Sequence, residues 1–433
     1  MSLATHGLPF TKLTKALPAP VLQELLVYYG YPISYKGYYD VDLIAAEIST
    51  FKYWIVGDSY SAPTHPEYAS TVSIINKVRA AGTKVYGYVP IGQSTQGLSI
   101  AVIKTRIDEW ANIGVDGIFL DEFGFDYGNT RVKQVEIVNY VHGKNLPVCA
   151  NTWTAHDFVC DNIAELPWGS GDWRYGNFAT YNPGNLPIAR WSKDAIMMEN
   201  FCFDHQGPMN VFDAQERASL TTTLVKNKNV KLWALAVFGE TTPGTVDPVR
   251  LGNLNNLSDA GAYIAANAYI YGIDIVGSGG FSFGSNGTPV RAPLPIMPAA
   301  ATAATSPYTD NYVSCEATRT FGTVTLTVKN LDGVQSTKVE TSSTLVVSFD
   351  NVSKSASLVV TPAKKDSVTF FVADPVFLKG MLVVASLVPN IEHDADELAV
   401  VGLLATAVNG GVEFTLSTDG ILVGTYKVLY NKG

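Results

Sequence analysis

A chain of 433 residues is too long for one ordinary core and points to two or three domains. Its composition, 47% hydrophobic and 16% charged, excludes disorder over most of its length. The formal charge of -9 argues against a nucleic-acid partner; an acidic surface would tolerate or attract a cationic ligand, although solubility alone is the commoner reason for such a charge.

In chain order, residues 1–21 form an N-terminal extension without the basic start and apolar stretch of a secretory signal. Apolar β-type runs then alternate with helical patterns. Strands are expected at Leu25 to Tyr31, Tyr53 to Asp58, Lys84 to Val89, Gly117 to Leu120, Pro147 to Ala150, Ala195 to Met198, Lys231 to Ala236 and Ile273 to Val276. Helices are expected at Val41 to Ser49, Pro66 to Ala81, Ile100 to Ile113, Val132 to Lys144, Ala214 to Lys226 and Ala260 to Tyr271. The stretch between the fifth and sixth strands reads as long and irregular. Eight strands alternating with helices over about 250 residues indicate an α/β fold of the (β/α)8 TIM-barrel type, here residues 22–283.

After Phe283 the chain changes character. Residues 284–310, rich in Pro and Ala, read as a linker or as a segment laid extended over a surface. Residues 311–433 carry seven short alternating strands and read as an all-β sandwich of about 120 residues. All seven tryptophans precede residue 234, so this sandwich lacks the exposed-Trp platform of many sugar-binding modules and reads as an assembly or accessory domain.

The most informative segment is Gly114 to Asp126, where a buried strand runs into a cluster of acid. Alternation puts Phe119 and Asp121 on one face and Ile118, Leu120 and Glu122 on the other. Asp121 is therefore the candidate for a site at the strand carboxyl end, and capping of the next helix or turn is the competing role. The same rim holds Tyr29, Tyr31, Asp58, Tyr88, Gln93, Asn151, Trp153, Glu199, Asn200 and Glu240.

Glycoside hydrolysis requires two carboxyl groups, one to protonate the leaving oxygen and one to attack or to activate water. Asp121 and Glu199, two strands apart on one rim, meet that need, with Asn151 between them. Trp153, Trp168, Trp173, Tyr175, Phe178 and Tyr181 follow within thirty residues and offer ring faces for pyranoses, or else fold into their own small core. Asp58, Asp126, Asp172 and Asp204 are candidate anionic contacts to a deacetylated amino sugar.

The blocks Tyr28-Tyr-Gly-Tyr-Pro32, Val85-Tyr-Gly-Tyr-Val-Pro-Ile-Gly92, Gly117-Ile-Phe-Leu-Asp-Glu122, Ala150-Asn-Thr152 and Met198-Glu-Asn200 resemble those of the spherulin-4-like glycosidases, glycoside hydrolase families 135 and 114. The resemblance spans about residues 22 to 280. It implies an endo-acting hydrolase of α-1,4-linked galactosamine or N-acetylgalactosamine chains, with Asp121 and Glu199 catalytic. Asn151, Tyr29, Tyr31, Asp58, Tyr88, Gln93, Glu122, Trp153 and Trp173 are the expected substrate contacts. Two blocks depart from the family pattern: Val56-Gly-Asp-Ser-Tyr60 replaces an Asn-Pro, and Asn151-Thr-Trp153 replaces Asn-Pro-Gly.

No cofactor and no metal are expected, because the six histidines are scattered and the four cysteines lack ligand spacing and read as free thiols. No run reaches membrane-spanning length. A barrel enzyme of aldolase or deaminase type would need a strand-end lysine or a histidine metal set, and Lys84 and Lys231 stand at strand starts. The expected partner is a polysaccharide, met outside the cell or as a component of a virus particle such as a phage tail. Residues 1–21 and 311–433 are then candidate contacts for a homo-oligomer or virion partners. The alternative is a non-catalytic glycan-binding or structural protein on the same barrel.

Overall fold

The computed structural model describes residues 20–433 except 58, 210–213, 215–216, 253, 255, 298–300, 305, 312–315, 330, 332–333, 337–344, 351–354, 361–366, 374–381, 390–399, 409–410, 419–423 and 433. Of the expected features, most of the N-terminal extension, Asp58 and Cys315 lie outside the described residues.

Eight parallel strands close into a barrel: β1 (Gln23–Tyr28), β2 (Tyr53–Val56), β3 (Lys84–Pro90), β4 (Gly117–Asp121), β5 (Val148–Asn151), β6 (Ala195–Glu199), β7 (Lys231–Phe238) and β8 (Ile275–Gly280). Their order around the barrel is β1-β8-β7-β6-β5-β4-β3-β2, so each strand lies beside its sequence neighbours. The chain is a (β/α)8 barrel followed by a smaller all-β domain.

The period-two alternation sorts side chains into two apolar layers. Val27, Ile55, Tyr88, Phe119, Met197 and Trp233 fill the barrel interior. Leu26, Trp54, Val89, Ile118, Leu120 and Ile196 face outwards against the helices. Helices α1 (Val41–Ile48), α2 (Tyr68–Ala80), α3 (Ile100–Ile113) and α4 (Arg131–Gly143) follow the first four strands. The Ser99 hydroxyl accepts from Val102 N–H to start α3, and Gly114, at φ 85°, ends it.

The region between β5 and β6 is not the irregular stretch expected from sequence. It contains a short turn of helix, α5 (His156–Val159), and a nine-residue helix, α6 (Trp173–Tyr181). In α6 only Phe178 is fully buried and Gly176 interrupts the apolar pattern, so periodicity does not reveal it; the Asp172 carboxylate caps it by accepting from Arg174 N–H. Helices α7 (Arg217–Asn227) and α8 (Leu257–Tyr271) complete the barrel.

Residues after Gly284 lie along the barrel wall. Ala292 N–H donates to Ser278 Oγ at 2.8 Å, and Arg291 pairs with Glu24 through two nitrogens. Strands Ala301–Ala304, Thr309–Asn311, Glu316–Gly322 and Val324–Lys329 form an antiparallel sheet against α8. Arg319 donates to the Ile270 carbonyl at 2.9 Å, placing a cation at the carboxyl end of that helix. Two further four-stranded antiparallel sheets follow, one of Val334–Ser336, Ser367–Ala373, Gly411–Thr418 and Val400–Val408, the other of Leu345–Asp350, Ser355–Val360, Gly424–Lys432 and Val383–Pro389.

Close approach of helix to barrel depends on Gly87. The Trp110 ring lies over it, and Trp110 Nε1 donates to the Tyr88 carbonyl at 3.0 Å. A Cβ at Gly87 would fall 2.3 Å from that ring. Gly87→Ala should therefore cost about 1–3 kcal/mol through overpacking, read as a lower urea midpoint; an unchanged midpoint would show that α3 shifts freely.

Candidate active site

Four consecutive strands end in one polar row. Tyr88 points inwards from β3, and Asp121, Asn151 and Glu199 are the last residues of β4, β5 and β6. The Asn151 amide nitrogen donates at 2.8 Å to Asp121 Oδ1 and at 2.8 Å to Glu199 Oε2. Tyr88 Oη donates at 2.7 Å to the other Asp121 oxygen. Two such bonds from one trigonal nitrogen hold these carboxyl oxygens within about 5.6 Å of one another.

Burial acts on both acids, and their surroundings differ. Burial raises the Asp121 carboxyl above its ordinary value, opposed by hydrogen bonds from Tyr88, Asn151 and the Glu122 backbone. Burial raises the Glu199 carboxyl too, and the charge of Asp121 adds to it; the Asn151 hydrogen bond and the Arg217 cation oppose. The Tyr29 hydroxyl is pushed well up by burial and by Asp121. Both carboxyl groups are thus held above their ordinary values, Asp121 with more hydrogen-bond donors on its oxygens and Glu199 with Asp121 and Arg217 as charged neighbours.

The backbone leaves both strand ends in the same unusual way. Glu122, directly after Asp121, has φ 54°, and Asn200, directly after Glu199, has φ 59°. Such conformations are costly for residues with side chains and collect at functional sites. Glu122 is turned away from the pair: its carboxylate accepts from Thr95 Oγ1, and its carbonyl accepts from Asn129 at 2.7 Å. Gly92 makes the room, since a Cβ there would lie 2.3 Å from Glu122 Oε2.

The other expected contacts divide into three groups. The Tyr29 ring lies 5.0 Å from those of Tyr88 and Phe283, directly beside the acids. Tyr31, 51% exposed, joins Tyr60 and His65 in an aromatic cluster near the start of the barrel. Gln93 is turned to Lys133 Nζ at 3.1 Å. In the β5–β6 region Trp153 (40% exposed) and Trp173 (53% exposed) present their rings, whereas Trp168 packs on His156 and Phe178 on Phe125. Trp168 and Phe178 thus belong to a small aromatic core, while Trp153 and Trp173 stay exposed.

Three residues at the site escape sequence reasoning. Tyr127, on the turn after β4, has its hydroxyl raised by burial and by Asp126, Asp121 and Glu199. The Arg217 guanidinium lies 4.2 Å from the Trp153 ring and acts on both Glu199 and Asp126. Phe283 reaches Tyr29 from the loop after β8. Tyr127 carries a signal in its place six residues past Asp121 in the same acidic segment; Arg217, at the start of a helix, carries none. Behind the turn, Asp157 is buried, accepts from Phe125 N–H at 2.9 Å and has its carboxyl raised by burial to about 8.

No family model and no curated protein sequence matches this chain. Among solved structures, the glycoside hydrolase domain of PelA from Pseudomonas aeruginosa is 13% identical over 60% of this chain and 95% of that one, with a TM-score of 0.35. The carboxyl transferase domain of Rhizobium etli pyruvate carboxylase is 11% identical over 60% of this chain and 39% of that one, with a TM-score of 0.37. A mutant of the Thermobaculum terrenum O-GlcNAc hydrolase is 11% identical over 62% and 56%, with a TM-score of 0.34. At these identities and scores the likenesses carry no argument about function, and the proteins differ in chemistry. Among the described residues no helix is long and apolar enough to cross a membrane.

The raised Glu199 carboxyl has a consequence for stability. The folded protein holds a proton that the unfolded chain releases, so the group's contribution is complete below the ordinary carboxylate pKa and is lost as pH rises through the folded value. Glu199→Gln should raise the melting temperature at pH 7 by about 1–3 °C, with the gain vanishing below about pH 4. A gain independent of pH would show that charge is not its cause.

Proposed function

We propose that this protein is a retaining glycoside hydrolase whose site is the Asp121, Asn151 and Glu199 row. The observation that carries the reading is the bridge from one Asn151 nitrogen to both carboxyl groups. It keeps the two bridged oxygens no more than about 5.6 Å apart, which supports the about 5–5.5 Å spacing of retaining enzymes over the about 6.5–9.5 Å that leaves room for an inverting water.

In this reading Asp121 is the nucleophile. It attacks the anomeric carbon as Glu199 gives its proton to the leaving glycosidic oxygen, which forms a glycosyl ester on Asp121 and frees the first product. Glu199, now ionised, takes a proton from water, and the oxygen of that water displaces Asp121 from the anomeric carbon. Two inversions give net retention. Tyr88 and Asn151 steady the Asp121 carboxylate, and the Asn151 carbonyl is left to accept from a substrate hydroxyl or amide. Tyr29, Trp153 and Trp173 are proposed ring contacts, and Gln93 and Glu122 support the surrounding loops.

The substrate we infer is an amino-sugar polysaccharide of the α-1,4-linked galactosamine or N-acetylgalactosamine type; that choice rests on the motif resemblance. Two of the four acids proposed to meet a deacetylated sugar are engaged. Asp172 is paired with Arg174, and Asp204 accepts from Gln206 and Gly207 N–H groups. This supports the neutral N-acetylated unit over the cationic one. The same reading treats residues 22–283 as the catalytic unit and residues 311–433 as accessory, and an extracellular or virion setting follows from the substrate alone.

Asp121→Asn and Glu199→Gln should each lower kcat/KM on N-acetylated α-1,4-galactosaminoglycan by about 100- to 10,000-fold. Proton NMR should show the α-anomer as the first product of the wild-type protein. A first-formed β-anomer would overturn retention. Intact glycan binding with no reducing-end release would overturn hydrolysis and favour the binding protein.

A further inference from the structure

A second cleft opens on the same carboxyl-end rim, past β7 and β8. Its volume is about 310 Å3, at the lower end of the about 300–1,000 Å3 range of ligand pockets and suited to a single small unit. Its walls are His205 from the loop after β6, Phe281 from the loop after β8, and the hairpin of Glu240–Thr242 and Thr245–Val246 after β7.

We propose that this cleft is an outer subsite, holding one neutral pyranose unit of the glycan chain with its apolar face on Phe281. The proposal rests on the hydrolase reading for its ligand class. Phe281 is 57% exposed, yet the described structure holds it firmly. Its N–H donates to the Phe238 carbonyl at 2.9 Å, and the next residue, Ser282, donates its N–H to Glu240 Oε2 at 2.7 Å. Glu240 Oε1 also accepts from Gly244 N–H at 2.6 Å, which ties the hairpin to the same carboxylate. The backbone carrying the ring is thus held and the ring leans on His205, so stacking a sugar on it would order little more than its own side chain.

The polar edge suits hydroxyl groups of a neutral ligand. Arg250 Nη1 donates to Gln206 Oε1 at 2.5 Å and its Nε lies 3.6 Å from Asp247, while the Glu240 carboxylate is taken up by N–H and hydroxyl donors of its own hairpin and loop. The His205 ring lies 4.6 Å from Phe281 and closes the second side. Gly239 permits this approach, because a Cβ there would fall 2.4 Å from the His205 carbonyl.

Continuity with the active site comes from a single loop. Phe281 faces His205, while Phe283, two residues on, packs against Tyr29, whose ring neighbour Tyr88 binds Asp121. A glycan running from the acids past Tyr29 and Phe283 would head towards the cleft, so occupancy of the proposed subsite should depend on chain length.

The test uses the full chain carrying Glu199→Gln, with N-acetylated α-1,4-galactosamine dimers and hexamers as probes in calorimetry, and wild-type hydrolysis of the hexamer in parallel. The hexamer should bind at least about tenfold tighter than the dimer, and Phe281→Ala should abolish that gain. Phe281→Trp, which keeps a ring, should preserve it. Equal hexamer affinity with and without Phe281→Ala would overturn the subsite, even if the wild type cleaves. Loss of the gain in a protein that does not cleave would uphold the subsite and overturn the hydrolase reading. Neither binding nor cleavage would overturn both.

Discussion

Two buried carboxyl groups sharing one amide nitrogen constrain everything around them. Two unit charges about 5 Å apart repel by about 3 kcal/mol at an effective dielectric near 20, so the pair favours a state with one proton between its two members. Asn151 makes the closeness tolerable by giving one N–H to each. That arrangement needs β4, β5 and β6 to be adjacent. The barrel supplies the adjacency: Leu120 pairs with Ala150 and Asn151 with Met197, so Asp121 and Asn151 stand level while Glu199 lies two residues further along its strand, on the same inward-facing period. The tyrosine on β3 then lies within reach of the free oxygen of Asp121, and the hydrogen bonds distribute unequally between the two acids. This inequality is what the proposed division of tasks between two carboxyl groups of similar intrinsic acidity rests on.

The barrel was legible because its strands are nearly continuous apolar runs separated by well-punctuated helices. Period two along Gly117 to Asp121 was enough to put Phe119 and Asp121 inside and Leu120 outside, as the two apolar layers show. Helix α6 was not legible, because its stability comes from an Asp172 cap and one buried ring, Phe178, which packs on Phe125 from another loop. The same limit applies to the site. Asp121, Asn151 and Glu199 end strands, so sequence position predicts their place. Arg217 and Phe283 arrive from distant elements through closure of the barrel, and nothing local marks their arrival. Glu122 illustrates the opposite case, an acid beside the key residue in sequence that a left-handed backbone turns aside towards Thr95.

The fixed charges of the rim narrow the ligand more than the net charge of the chain does. An acidic protein invites a cationic partner at long range, but salt screens that attraction over about 10 Å, whereas contacts decide specificity. Around this rim several acids already have local partners: Asp172 with Arg174, Asp161 with Arg190, and Glu240 with three donors of its own hairpin and loop. Arg217 further offsets the charge of Glu199 and Asp126. Turned outwards beside them are the rings of Trp173 and Phe281 and the part of Trp153 that Arg217 leaves uncovered. A surface whose charges are internally matched and whose rings are held in place favours flat, uncharged, hydroxyl-rich units over a polycation. The electrostatics of the rim are therefore set by pairs and hairpin contacts within the fold, and a ligand of the proposed neutral kind would meet its rings before its charges.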